Sequence, residues 1–186
     1  PSRIDRRIIC CDKIMKRIIK KSKFDPNSRR TVFGLTYQQS VLDKMHCLFD
    51  NAQATRHWFL TIDPCLSDTQ LSVLEHTWGD IVILDSSLKY PVFIECVSMR
   101  NEQSIFPVHK IEKFHGSNKF YCFGWTDEDR FVLSRVWNSY ARKLPYVGPE
   151  RGYYRRFSRS NIKGLRQQYD NINKFCKYIE LNSCNH

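Results

Sequence analysis

Two apolar segments, each carrying a carboxylate, decide the fold: Trp78-Gly79-Asp80-Ile81-Val82-Ile83-Leu84 and Pro91-Val92-Phe93-Ile94-Glu95-Cys96-Val97. Runs rich in β-branched and aromatic residues, bounded by Gly or Pro, are typical of buried strands. The linker 85–91 is short enough to join them as an antiparallel hairpin. If the strands pair as neighbours, Asp80 and Glu95 converge at one edge of the sheet.

A carboxylate inside an apolar strand is costly to bury unless it is paired or bound to a cation. Two such oxygens with coordinated water form an ordinary Mg²⁺ site, and the ion can activate water and stabilise a departing phosphate. The alternative is structural, with Asp80 as a solvent-facing strand end and Glu95 as half of a buried ion pair. Asp85, at the end of the first strand, is the second choice for the role of Asp80.

Hydrophobic periodicity and turn residues predict the remaining elements. The predicted helices are 4–22, 36–50, 66–75, 108–115, 127–143 and about 161–181, and the predicted strands are 58–62, 80–84, 92–97 and 119–123. This order predicts an α/β fold with a mixed central sheet flanked by helices and helical N- and C-terminal extensions. We expect one domain over residues 1–186, with a core at about 36–143, a basic helical extension at 1–30 and a basic C-terminal region at 150–186.

The Gly-Asp that opens one strand, followed by a Glu at the end of the next, resembles the PD-(D/E)xK nuclease superfamily. That core runs helix–strand–strand–strand–helix–strand, an order matched by residues 36–125. The stretch Ile94-Glu95-Cys96-Val97-Ser98, followed by Gln103, Pro107-Val108 and His109, is similar to the cleavage domains or small subunits of type IIS restriction endonucleases. The resemblance implies a restriction-endonuclease-like fold, with Asp80 and Glu95 as catalytic ligands of Mg²⁺, or of Mn²⁺ as a substitute. It also implies a further ligand in the preceding helix, where Gln38 and Asp43 stand, although a surface position is the default for both.

The chain departs from the superfamily pattern at Val97, which stands where a lysine usually follows the glutamate by two residues. A relocated cation on the next helix is expected to replace it. Lys113, Lys110 and His109 are the candidates, and Lys113 ranks first because one helical turn places it on the face shared with His109.

The net charge of +11 is unevenly distributed. Residues 1–30 are net +8 and residues 151–166 are net +6, which leaves the rest of the chain net −3. Two basic blocks around a mildly acidic middle favour a polyanionic partner, although solvated basic faces are the plain alternative. Within 151–166 cations alternate with aromatic residues, which favours DNA contact over an edge strand with outward cations. The candidate nucleic-acid-binding residues are Arg151, Arg155, Arg156, Arg159, Lys163 and Arg166.

Several other classes of protein are disfavoured. No apolar run is long enough to span a membrane and no signal-peptide core is present, so a soluble, intracellular protein is expected, cytoplasmic or nuclear. The start at Pro1 suggests a processed chain or a fragment. The eight cysteines form no CxxC pair and are expected to be structural, against a zinc site drawn from Cys176, Cys184 and His186. Neither a catalytic Ser/His/Asp grouping nor a nucleotide-binding glycine loop is present.

These observations predict a Mg²⁺-dependent endonuclease that hydrolyses DNA phosphodiester bonds, of restriction type. Its partners are expected to be DNA and either a second copy of the chain or a companion subunit that reads sequence. The alternative is a non-catalytic nucleic-acid-binding protein on a degenerate nuclease fold, for which Val97 is the main argument. A zinc-stabilised RNA-binding domain is the third hypothesis.

Overall fold

Two sheets organise the part of the chain that the structure, a computed structural model, describes: residues 29–99, 101–125, 127–148, 153–166 and 168–183. The strands are β1 (Ala52–Ala54), β2 (Ile81–Ile83), β3 (Val92–Ser98), β4 (Gln103–Pro107), β5 (Lys119–Gly124), β6 (Asp129–Leu133), β7 (Tyr146–Val147), β8 (Tyr154–Ser158) and β9 (Gln168–Tyr169). The large sheet has the order β1–β2–β3–β5–β6–β9, and the small sheet has the order β4–β8–β7. The β3–β5 pair is parallel and the other pairs are antiparallel. The predicted mixed central sheet is therefore confirmed.

Helices cover both faces of the large sheet, because its strands alternate between two apolar cores. The helices are α1 (Arg29–His46), α2 (Thr55–Ile62), α3 (Asp68–Trp78), α4 (Val108–Lys113), α5 (Ser134–Ala141), α6 (Arg159–Lys163) and α7 (Ile172–Ser183). Ile81 and Ile83 point to the core shared with α1 and α7, whereas Val82 points to the core shared with α4, α5 and the small sheet. This period of two is what a strand buried on both faces requires.

The predicted hairpin is confirmed, since Ile81 pairs antiparallel with Ile94 and Ile83 with Val92. The helices expected at 66–75 and 108–115 and the strand expected at 119–123 are also present, with bounds shifted by a few residues. Residues 33–186 form one compact unit. The helix predicted at 4–22 lies outside the described residues, as does most of the basic extension.

The strand predicted at 58–62 is wrong. These residues belong to helix α2, and the first strand of the sheet is instead the short segment β1. Trp58 and Phe59 favour a strand by propensity, but on the helix Trp58 packs against Phe93, with ring centroids 5.9 Å apart. Tertiary packing overrides local preference here.

The long helix predicted at 127–143 is also wrong in its first half, where β6 pairs with β5 on one side and β9 on the other. Helix α5 begins only at Ser134. The helix predicted at about 161–181 is divided into α6, β9 and α7. In the described part of the chain, no helix has the length and apolar character needed to cross a membrane.

Candidate active site

Asp80 and Glu95 lie at the open end of the β2–β3 hairpin, where the charge of Lys110 acts on both carboxylates. The backbone N–H of Asp80 donates to the carbonyl of Ile94 (2.8 Å), the same residue that pairs with Ile81, so the bond holds Asp80 against β3 one residue out of the strand register. The Asp80 carboxylate then accepts a hydrogen bond from the backbone N–H of Cys96 (2.7 Å). Glu95 is 1% exposed. The structure therefore brings together the two carboxylates that the sequence singled out.

Helix α3 delivers Asp80 to this position. The helix begins with a capping box, in which the side chains of Ser67 and Gln70 bond to each other's backbone N–H groups, and its C-terminal cap is Gly79. Gly79 has φ of +84°, and a Cβ there would lie 2.7 Å from the carbonyl oxygen of Ile94. A glycine is needed at this position both for its backbone conformation and for the close approach of β3.

Lys110 is the candidate lysine that contacts Glu95. Its ammonium group, on α4, lies in ion-pair contact with the Glu95 carboxylate. Lys113, ranked first from the sequence, lies instead near His76 and His109, whose pKa values its charge lowers. Val97 is half-buried and packs against the core beneath α4 and α5. Of the two candidate lysines on α4, Lys110 therefore contacts Glu95, and it lies about one helical turn before Lys113.

In the cluster formed by Asp80, Glu95, Lys110 and Glu75, burial shifts the pKa values of Asp80 and Glu75 and that of Lys110 in opposite directions. It raises the pKa of Asp80, although the Lys110 charge and the Cys96 N–H oppose the shift. It lowers the pKa of Lys110, against the pull of Asp80 and Glu75. Burial and the nearby Asp80 charge also raise the pKa of Glu75, which lies on α3. Both Asp80 and Glu75 are therefore held in surroundings where an added cation is favourable.

The other candidate ligands divide into one near the cluster and two away from it. The Gln38 side-chain amide donates to the backbone carbonyl of Asp80 (3.3 Å), so Gln38 positions this strand end. Asp43 bonds to Gln39 on the exposed face of α1. Asp85 is half-buried and accepts hydrogen bonds from the backbone and hydroxyl of Ser87 (2.9 and 2.7 Å). It therefore forms a turn and does not replace Asp80.

A histidine pair, which the sequence did not suggest, lies next to the cluster. The rings of His76 on α3 and His109 on α4 meet edge to face, with centroids 5.2 Å apart. Burial, then the charges of Lys110 and His109, lower the pKa of His76 to about 4. These residues are 33 positions apart in the chain, so no sequence spacing could have revealed the pair.

The residues present fit a cation held by two carboxylates and completed by water or substrate. Asp80 and Glu95 provide the oxygen donors that Mg²⁺ and Mn²⁺ prefer. In the described residues, however, no group of three or more His, Cys, Asp or Glu side chains is placed to hold a metal ion by itself. A dedicated all-protein cage is not the arrangement here. For the zinc hypothesis, Cys176 is buried in the core, and Cys184 and His186 lie outside the described residues.

The six candidate nucleic-acid-binding residues are in different environments. Arg156, Lys163 and Arg166 are exposed, and Lys163 has one distant acidic neighbour, Glu128 (3.8 Å). Arg159 makes ion pairs with Asp127, Glu128 and Glu102, so acids from other segments offset a cation that the local sequence left unpaired. Arg155 is buried in the central strand β8 of the small sheet, and Arg151 lies outside the described residues.

The sequence matches no protein-family model and no curated protein. Among solved structures, the fold is similar to Hjc, a Holliday junction resolvase from the archaeal hyperthermophile Archaeoglobus fulgidus. The TM-score is 0.46 and the identity is 10%, over 77% of this chain and 95% of that chain. A likeness at this level does not transfer a substrate or an activity from one protein to the other.

Proposed function

We propose that this chain is a metal-dependent endonuclease that hydrolyses phosphodiester bonds in DNA. The observation that carries the proposal is the placement of Asp80, Glu95 and Lys110 at one end of the β2–β3 hairpin. The elements α1, β1, β2, β3, α4 and β5 follow the helix–strand–strand–strand–helix–strand order implied by the resemblance to PD-(D/E)xK nucleases, with α2 and α3 inserted between β1 and β2 and β4 inserted before α4. Two converging carboxylates and a cation are the minimum that such a site needs.

Each side chain then has a defined task. Asp80 and Glu95 would hold a divalent cation, which supplies water activation and charge stabilisation at the scissile phosphate. Lys110 orients Glu95 and carries positive charge next to the position where negative charge develops during hydrolysis. Gln38 holds the backbone at Asp80, because its side-chain amide donates to the Asp80 carbonyl. We assign to Lys110 the role that the sequence analysis assigned first to Lys113.

The finer parts of the proposal are a restriction-type activity and a second subunit, either another copy of this chain or a companion that reads sequence. They rest on the type IIS resemblance around Glu95. One observation favours the non-catalytic alternative: Lys110 already neutralises Glu95, as in a structural ion pair. The nuclease proposal and this alternative differ in whether the carboxylates are needed for cleavage or for stability alone.

Nicking of supercoiled plasmid in Mg²⁺ or Mn²⁺ tests the proposal. Asp80→Asn and Glu95→Gln should each abolish nicking while DNA binding persists. Asp85→Asn is the matched control, because Asp85 is a carboxylate on the same hairpin that forms a turn. Nicking that survives both substitutions would contradict the assignment. DNA binding without cleavage in either metal, alone or with a second subunit, would favour the non-catalytic alternative.

A further inference from the structure

In the C-terminal half of the described residues, two arginines lie over aromatic rings. The two arginines differ in how many carboxylates surround them. The Arg159 guanidinium lies 5.1 Å from the Trp125 ring and is neutralised by three carboxylates. The Arg155 guanidinium lies 3.4 Å from the centroid of the Tyr146 ring. It has no acidic partner among the described residues.

Arg155 is a buried cation with an incomplete set of partners. It is 9% exposed, and one terminal nitrogen donates to the carbonyl of Leu144 (2.6 Å). Its Nε is buried without a hydrogen-bond partner. Buried charges are normally paired, since removing an unpaired charge from water is unfavourable. Among the described residues no acid balances the positive charge of Arg155, which favours an anion at this edge of the small sheet.

Tyr146 is an exposed ring that the arginine holds in place. It lies on β7, the edge strand next to β8, and pairs with Arg155 in the register of the sheet. A guanidinium so close to the ring centre covers one face, yet Tyr146 remains 52% exposed. The other face is thus available as a flat aromatic surface at low entropic cost, because the stack already restricts the side chain.

We propose that the Tyr146–Arg155 stack binds a single-stranded stretch of nucleic acid, with an unpaired base on the open face of Tyr146. A base needs an aromatic face, and the adjoining phosphate needs positive charge; this stack supplies both. The inference deepens the proposed function, on which it rests, by naming DNA with unpaired bases as the substrate class.

The backbone connects this stack to the candidate active site. Strand β8 pairs with β4, which leads directly into α4, the helix that carries Lys110. The backbone N–H of Val108, the first residue of α4, donates to the carbonyl of Tyr153, two residues before Arg155 (2.9 Å). Nucleic acid held at Tyr146 would thus be anchored on the sheet that leads into the helix of Lys110.

Fluorescence anisotropy with labelled dT20 and a labelled 20-base-pair duplex, in EDTA and with the full chain, tests the inference. Tyr146→Leu keeps an apolar cover on Arg155 but removes the ring, and it should weaken dT20 binding by about tenfold with little effect on the duplex. Tyr146→Phe should bind dT20 within about twofold of wild type, since every base stacks on either ring. Tyr90→Leu is the matched control, because Tyr90 is 63% exposed and lies beside Lys89.

Equal dT20 affinity for Tyr146→Leu and wild type would overturn the inference. An equal loss for dT20 and duplex would also overturn it, because the residue would then serve general phosphate binding. Since binding is measured without metal, the outcome is independent of the nicking test. If the chain nicks DNA but Tyr146→Leu binds dT20 as wild type does, the proposed function stands and this binding site is overturned. If Tyr146→Leu weakens dT20 binding but the chain does not nick DNA, the binding site stands and the proposed function is overturned.

Discussion

At the scale of single residues, the candidate site depends on three neighbours that fix the end of α3 and the start of β2. Gly79 allows β3 to approach, and Gln38 holds the Asp80 carbonyl. Lys119 donates from its ammonium to the Thr77 carbonyl (2.6 Å) and lies over the Trp78 ring, and burial lowers its pKa to about 8. A lysine at a helix C-terminus satisfies a carbonyl left without an intrahelical partner.

Lys110→Met should lower the rate of metal-dependent nicking by about 100-fold, because charge stabilisation next to the scissile phosphate is lost. It should also cost about 2 kcal/mol of stability without metal, since the buried Glu95 carboxylate loses its partner. Nicking assays and urea unfolding measure the two effects. Lys113→Met should cause a smaller loss of nicking rate and a smaller loss of stability than Lys110→Met. A larger loss of activity for Lys113→Met would restore the ranking made from the sequence.

Gly79→Ala should destabilise the protein by about 2 kcal/mol, because a Cβ at φ of +84° meets the Ile94 carbonyl. Gly34→Ala is the matched control: Gly34 lies in α1, and a Cβ there has no atom within 4 Å. That substitution should stabilise the protein by about 0.5–1 kcal/mol, as alanine does in a helix. Urea unfolding followed by tryptophan fluorescence compares them. Equal effects of the two substitutions would show that β3 does not constrain position 79.

At the scale of elements, the sequence predicted the β2–β3 pair and missed the β5–β6 and β6–β9 pairs. The β2–β3 hairpin was predictable because its strands are adjacent in the chain and rich in β-branched residues, with turn residues between them. Strand β6 was missed although it forms a tight antiparallel pair with β5, because a buried apolar run does not by itself distinguish a strand from a helix. The same limit applies to the site. Asp80 and Glu95 stand out within strands, whereas the choice of Lys110 over Lys113 depends on how α4 docks.

The contact between α3 and α4 predicts a pH dependence through His76. Burial and nearby cations lower the pKa of His76 to about 4 in the folded chain, against an ordinary value near 6.5. Between these values the unfolded chain takes up a proton that the folded chain does not. Stability should therefore fall as the pH drops from 6.5 towards 4.

Replacing the His76 ring separates its contribution to the pH dependence of stability from that of carboxylates, which titrate in the same pH range. His76→Gln should flatten the loss of stability between pH 6.5 and 4.5 by part of the ~1.4 kcal/mol per pH unit that one full proton gives. Urea unfolding at several pH values measures the slope. His57→Gln, on the exposed side of α2, should keep the wild-type slope. An unchanged slope for His76→Gln would mean that the histidine pair does not oppose protonation.

At the scale of the whole molecule, the +11 charge is partly compensated within the fold. Glu128 alone contacts Arg130, Arg159 and Lys163, and Asp127 also pairs with Arg159. Counting cations along the chain therefore overstates how many can reach a polyanion. The structure separates those that stabilise the fold, such as Arg159, from those exposed to a partner, such as Arg156.

The salt dependence of duplex binding tests this separation. Each phosphate contact contributes a slope of about −0.9 to log K against log salt for duplex DNA, because bound counterions are released. Arg156→Gln and Arg166→Gln should each reduce the slope by about 1. Arg159→Gln should leave the slope near the wild-type value and lower the free energy of unfolding instead, because Asp127 and Glu128 lose their partner. A slope reduced as much by Arg159→Gln as by Arg156→Gln would place Arg159 at the DNA, and its ion pairs would then be replaced by phosphate when DNA binds.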